Sequence, residues 1–460
     1  MKTNRIFSLF FTLLLAIALL VPAAAAAEGD APTLPEPPEL NCQAALLVDY
    51  NTGNVVYAKN EHQEMYPASL TKIMAALLVL EAVDQGQLSL GDELTASRSA
   101  MTTGLDEEGS TAEIQIGEIM TVEEYLTCML VVSANEACNV LAEAVSGSVD
   151  AFVDAMNEKA AALGCENTHF VNPTGLHDPQ HYTTAWDMYL ITRAAMEHSD
   201  FMRICDTGTA HIPATNLSEE RTLHTTNYLI DGWRSLGYRN SDAHGIKTGS
   251  TDAAGHCLVS SAMRGSLHFL SVVMGGERLT LEDGEIRTYS FYDTNLLYDW
   301  ALDNFSYQTV ILESEEIQEV PVLLSDIDHV TVHPAGDTEA LLPTALSPED
   351  LERRVEIQET VEAPVSAGQK LGPLTLSYDG VDYVTVDLLA SFDVEANPLQ
   401  ALLRSIRDFF QRPVVRIVGI ILIVLVVLLL VWHFFFGRRR YRYGRSVTRR
   451  RRNTYRGRRR

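Results

Sequence analysis

Positive charge is scarce over most of this 460-residue chain. Residues 28–398 carry 16 Lys and Arg against 60 Asp and Glu, a net charge of −44. Bulk attraction to nucleic acid or to an anionic surface is excluded for that stretch, whereas a cation-rich cell wall tolerates it. Cysteine is sparse too. The six (Cys42, Cys128, Cys138, Cys165, Cys205, Cys257) show no metal-ligand spacing. Their even number allows disulfides in an exported chain. Cys128 and Cys138, however, stand about 15 Å apart if helical, too far to bridge, and a domain this large needs no staples. Buried free thiols are therefore expected. Internal repeats are lacking.

Long apolar runs occur only at the two ends. Residues 1–27 read as a signal peptide: Lys2 and Arg5, a short apolar run from Phe7 to Val21, then Pro22 and an alanine-rich cleavage site. A Pro/Glu-rich linker over 28–43 follows. At the far end, residues 416–436 are long and apolar enough to span a bilayer. The 437–460 tail beyond them has thirteen arginines and no acidic residue. A basic cluster abutting a span marks the cytoplasmic side and can hold anionic lipid, so a nucleic-acid partner is not expected. Residues 397–415 alternate at helical spacing and read as an amphipathic approach to the membrane surface. The expected placement is a single-pass cell-membrane protein with its bulk on the extracytoplasmic face.

Between the ends the pattern is mixed α/β. Strands are expected at 44–50 and 54–59 around a turn at Asn51-Thr52-Gly53. Helices are expected over 69–80, 122–132, 135–145 and 150–163. Strands around Lys247, over 255–261 and over 268–275 precede a closing helix at 287–302. From 309 to 386 short alternating strands suggest a small all-β domain. The divisions are thus 44–304 for a catalytic domain and 305–396 for the β-domain.

Three strings carry the chemistry: Ser69-Leu70-Thr71-Lys72, Ser133-Ala134-Asn135 and Lys247-Thr248-Gly249. Together they are the parts of a serine acyl-transfer site. Ser69 at a helix start offers a hydroxyl, and its N–H faces a developing oxyanion. Lys72 at i+3 shares that face and can take the Ser69 proton if burial and a nearby Lys247 lower its pKa. Ser133 fits a proton relay and Asn135 a holder of the substrate amide. Lys247 and Thr248 fit a carboxylate. Ser69 and Asn135 taken singly could be plain N-caps; two lysines inside apolar stretches argue for catalysis.

The stretches Tyr66–Met74, Asn167–His177 and Gly245–Asp252 make residues 44 to 387 similar to the serine D-alanyl-D-alanine carboxypeptidases, the low-molecular-mass penicillin-binding proteins. The resemblance implies a transpeptidase/β-lactamase-like domain, an antiparallel sheet flanked by helices, and then a β-domain that lifts the site off the membrane. It implies acylation of Ser69 by a peptidoglycan stem peptide ending in D-Ala-D-Ala, loss of the terminal D-Ala, hydrolysis, and covalent inhibition by β-lactams. No cofactor or metal is implied. The Ser250 N–H would join that of Ser69 in the oxyanion hole, and Gly249 completes the strand motif. Glu136 stands where many relatives have Asp. Arg287 is the nearest match to the arginine that helps hold the substrate carboxylate, with Arg278 its rival. Transpeptidation or endopeptidase action would use the same acyl-enzyme. A β-lactamase is disfavoured because no Glu-x-x-Leu-Asn segment is present. His177 and His181 have a zinc spacing but fall in a proline-rich loop of the resemblance, which favours structural use.

Overall fold

The computed structural model describes residues 32–106, 109–234 and 236–436. The expected signal peptide and arginine-rich tail lie outside the described residues. The chain divides into two compact units. The larger runs up to Val310 and includes Thr338–Arg353 and Leu376–Val384; the smaller holds Ile311–Asp337, Arg354–Thr375 and the chain from Thr385.

The larger unit is organised by a five-stranded antiparallel sheet. Its strands are β1 (Ala44–Asp49), β2 (Val55–Lys59), β3 (Ala243–Thr251), β4 (Gly255–Arg264) and β5 (Leu267–Gly276), in the order β2-β1-β5-β4-β3. β1 is buried along its whole length, which is why Ala-Ala-Leu-Leu-Val-Asp does not alternate with polar residues. Successive side chains still take opposite faces. Ala44, Leu46 and Val48 join the core on one face, and Ala45 and Leu47 join the core on the other.

The first face is covered by α1 (Thr71–Asp84), α2 (Val122–Val131), α3 (Asn135–Ser146), α4 (Val149–Ala162), α5 (Ala185–Met196) and α6 (Ser199–Cys205). The second is covered by α7 (Tyr289–Asn304), which buries Leu297, Tyr298 and Ala301. α1 buries ten of its fourteen residues, Lys72 among them. It is hydrophobic nearly all round, the pattern of a core helix. α2 opens on a capping box: Thr121 Oγ1 accepts from the Glu124 N–H, and Glu124 returns the bond to the Thr121 N–H. Such a cap contributes about 1 kcal/mol. It fixes where α2 starts and hence where it ends, at the turn carrying Ser133.

Three local outcomes differ from the sequence pattern. The helix expected from residue 69 begins at Thr71; Ala68–Leu70 form a separate 3-10 turn, because Ala68 is in the left-handed region at φ +48°. The helix expected from 287 begins at Tyr289. Arg287 instead belongs to a short strand, Ile286–Thr288, paired with Arg278–Thr280. α5 was not foreseen, although Thr184 and Asp187 spell its cap, with the Asp187 N–H donating to Thr184 Oγ1 at 3.0 Å. All six cysteines are free, as expected.

The C-terminal third carries a six-stranded sheet. Its strands are β6 (Gln318–Leu323), β7 (His329–Pro334), β8 (Glu352–Val355), β9 (Val361–Glu362), β10 (Lys370–Tyr378) and β11 (Val381–Ala390), in the order β8-β10-β11-β7-β6-β9. Alternate burial along β7 matches its alternating sequence. Two helices end the described chain, α8 (Pro398–Gln411) and α9 (Pro413–Phe436). Asn397 caps α8 by accepting from the Leu399 and Gln400 N–H groups. Leu399, Leu402, Leu403, Ile406, Phe409 and Phe410 are exposed at helical spacing on α8. α9 is about 36 Å long at 1.5 Å per residue, enough for a bilayer core. It is the one helix among the described residues long and apolar enough to cross a membrane.

Candidate active site

Ser69 sits in the 3-10 turn at the head of α1, and Lys72 one residue inside the helix points back at it. Lys72 is completely buried. Its Nζ donates to Ser69 Oγ at 3.0 Å, to Asn135 Oδ1 at 2.7 Å and to the Thr174 carbonyl at 2.6 Å. Those three acceptors use all three donors of an ammonium. Burial pushes the Lys72 pKa down to about 8, with the Cys138 thiol and the Glu136 carboxylate partly opposing. The lowered pKa brings the neutral form, the one that accepts a proton, within reach near neutral pH.

The second string is placed by a helix–helix turn. α2 ends at Val131, the Ala134 N–H donates to Cys128 O at 3.1 Å, and α3 starts at Asn135. Ser133 between them is left-handed, φ +67°. That conformation costs a side-chain-bearing residue about 1–2 kcal/mol. Among the described residues its buried Oγ has no hydrogen-bond partner. Asn135 spends its Oδ1 on Lys72, so its amide NH2 is the group left for a substrate carbonyl. Glu136, the departure from Asp, is well used: its Oε1 accepts from the Thr111 hydroxyl at 2.6 Å and the Ala112 N–H at 2.7 Å.

The third string lies on β3, the sheet edge beside the Ser69 turn. Lys247 is 1% exposed and donates to the Thr248 carbonyl at 2.9 Å. Burial, with repulsion from Lys72 next, pushes its pKa down to about 7. Thr248 Oγ1 lies 2.5 Å from Thr226 Oγ1. Gly249 allows the strand to approach the nucleophile: a Cβ there would stand 3.0 Å from the Ser69 nitrogen and 3.1 Å from that of Leu70. It would also stand 2.9 Å from the Pro67 carbonyl oxygen, closer than a Cβ approaches backbone without the chain shifting.

A cavity of about 260 Å³ opens over this junction, lined among others by Ser69, Ser133, Thr248, Gly249, Ser250 and Arg278. Lys72, Asn135 and Lys247 are buried and not among its lining residues; Asn135 lines a second cavity that shares Ser110 with the first. Arg287, the nearest sequence match for a carboxylate holder, is not among the lining residues. Its guanidinium sits 4.3 Å over the Tyr292 ring and 3.7 Å from Glu285. Arg278, its rival, does line the cavity. Sequence reasoning missed Tyr228, which also lines it, and the Thr174 carbonyl on Lys72; backbone acceptors leave no residue-type signal. Among the described residues no cluster of His, Cys, Asp and Glu could hold a metal ion. His177 lies edge-on to Tyr66, 4.7 Å between centroids.

The chain is similar to several known proteins. The family model for D-alanyl-D-alanine carboxypeptidase matches residues 31–278, and that for the penicillin-binding protein 5 C-terminal domain matches residues 305–396. D-alanyl-D-alanine carboxypeptidase DacF of Bacillus subtilis is 31% identical over 338 residues, 74% of this chain and 82% of its own length. DacA of Haemophilus influenzae is 30% identical over 366 residues, 78% of this chain and 86% of its own. Among solved structures, penicillin binding protein 5 from Haemophilus influenzae superposes with a TM-score of 0.63 at 28% identity. That match covers 78% of this chain and 99% of the other.

Proposed function

The chain belongs to the D-alanyl-D-alanine carboxypeptidase family of serine-type hydrolases, and on that premise we propose that it cleaves the terminal D-Ala from peptidoglycan stem peptides through an acyl-enzyme on Ser69. The observation that carries the reading is the 3.0 Å contact between Lys72 Nζ and Ser69 Oγ, with Lys72 buried and its pKa lowered. Neutral Lys72 takes the Ser69 proton as Oγ attacks the carbonyl carbon of the D-Ala-D-Ala amide. The backbone N–H groups of Ser69 and Ser250 receive the oxyanion. The Asn135 amide donates to the acyl side of the substrate.

The proton then passes through Ser133, whose unpartnered Oγ is free to bridge, to the departing nitrogen, and the C–N bond breaks. Water attacks the ester and returns Ser69. Lys247, Thr248 and Arg278 hold the terminal carboxylate. An arriving carboxylate favours the charged form of Lys247. Charged Lys247 in turn opposes a second charge on Lys72 and favours its neutral, proton-accepting form. A β-lactam presents the same amide and leaves the ester in place, which gives covalent penicillin binding.

α9 serves as the membrane anchor and α8 as its interfacial approach, with the catalytic unit outside and the arginine tail inside. Protease added to intact protoplasts should remove the catalytic unit and spare the tail. The substrate reading is tested by incubating the purified protein with a D-Ala-D-Ala stem peptide and assaying free D-Ala. Release that requires Ser69 supports it, and no release contradicts it.

A further inference from the structure

Thr71 and His181 are both buried, at 0% and 2% exposure, and neither lines the cavity. They are hydrogen-bonded in series. The Val171 N–H donates to His181 Nδ1 at 3.1 Å, so in the neutral ring Nε2 bears the proton. Nε2 lies 2.8 Å from Thr71 Oγ1, which in turn lies 2.8 Å from the Ala68 carbonyl oxygen. A carbonyl only accepts. Thr71 therefore donates to Ala68 and accepts from His181, and every proton in the chain has one direction. Burial keeps the imidazole neutral, pushing its pKa down to about 4. His169, His177 and Lys72 act the same way, and Asp178 opposes them.

The end of the chain gives it meaning. The Ala68 C=O and the Ser69 N–H belong to one planar peptide unit. A donor on the carbonyl polarises that unit and strengthens the N–H on its other side. The same bond fixes the plane where the backbone alone holds it poorly, since Ala68 is left-handed at φ +48°. Gly175 closes the remaining side: a Cβ there would overlap the Ala68 carbonyl oxygen.

We propose that His181 and Thr71 are positioning residues for the oxyanion site, a relay that orients and polarises the 68–69 peptide so that the Ser69 N–H meets the developing charge. Neither touches substrate. The inference rests on the acyl-transfer reading above and adds to it Thr71, a residue of the first motif with no role until now, and His181, which lies outside all three.

The test uses the full chain in detergent and the variants Thr71→Val, Thr71→Ser, His181→Leu and His181→Gln. Thr71→Val is isosteric and suited to a buried site; Thr71→Ser and His181→Gln keep a donor. Three quantities are measured: kcat and KM on a D-Ala-D-Ala peptide, the acylation rate with a penicillin, and affinity for a peptide boronic acid whose tetrahedral adduct carries the oxyanion. Thr71→Val and His181→Leu should lower kcat and acylation about 10- to 100-fold, less than outright loss of an oxyanion donor. KM should stay within about twofold, since ground-state binding is untouched. Boronate affinity should fall in parallel, and Thr71→Ser and His181→Gln should recover most of the loss. Folded variants with lowered melting temperature but unchanged boronate affinity and kcat would overturn the relay. Failure of the unaltered chain to acylate would instead overturn the acyl-transfer reading itself.

Discussion

Lys72 Nζ donates to Ser69 Oγ across 3.0 Å from a site with no solvent exposure. A buried ammonium is costly unless its donors are satisfied. Here one of its three acceptors is the hydroxyl whose proton it removes in the proposed mechanism. Position and lowered pKa therefore come from one arrangement, a lysine in the first turn of a core helix with its head turned back to the preceding 3-10 turn.

The first prediction concerns pH. With Lys72 at about 8, acylation by a penicillin should rise tenfold per pH unit below 8 and level off above it, because the neutral form reacts. Lys247, at about 7 in the free protein, loses its charge as pH rises. Carboxylate binding then weakens, so kcat/KM on a peptide should be bell-shaped; the limbs report the coupled pair. Lys72→Arg keeps a charge that does not come off near neutrality, so acylation should fall by at least about 10³-fold. Lys247→Arg should retain a measurable fraction with raised KM. Equal acylation by the two variants across pH 6 to 10 would make Lys247 with Ser133 the better base.

Ser133 should trade stability for activity. Glycine at this position relieves the left-handed backbone, against a loss of about 0.5–1 kcal/mol in chain entropy. Ser133→Gly should therefore melt at the same or a higher temperature while acylating about 10²-fold or more slowly. A variant less stable and equally active would remove Ser133 from the mechanism. Calorimetry and a penicillin time course on the same sample decide it.

The two arginines separate cleanly. Arg278→Ala should raise KM for a peptide with a free C-terminal carboxylate about tenfold, or about 1.4 kcal/mol, near the lower end for a charged hydrogen bond. It should leave a C-terminal amide analogue unaffected. Arg287→Ala removes a stack on Tyr292 and should change KM less than twofold. The reverse ranking would restore Arg287 as the carboxylate holder.

What the sequence disclosed was set by local chemistry. Strands β1 and β2 and the turn between them, α2, α3, and the pairing of Ser69 with Lys72 all follow from spacing and residue type. The left-handed residues Ala68 and Ser133 carry no such signal, since glycine or asparagine is the usual mark of that backbone. The 3-10 turn and the strained serine were hidden for that reason. Arg278 was obscured by its hairpin, which sets Thr288, not Arg287, opposite it. The His181–Thr71–Ala68 series joins residues 110 apart, and only the folded loop brings them together.

The central claim is that Ser69 is the acylated nucleophile. Intact-protein mass spectrometry after incubation with a penicillin, followed by peptide mapping, tests it directly. One equivalent of penicillin should add, on Ser69, and Ser69→Ala should fold normally and stay unlabelled. Labelling that persists in Ser69→Ala, or that maps to Ser133, would contradict the account.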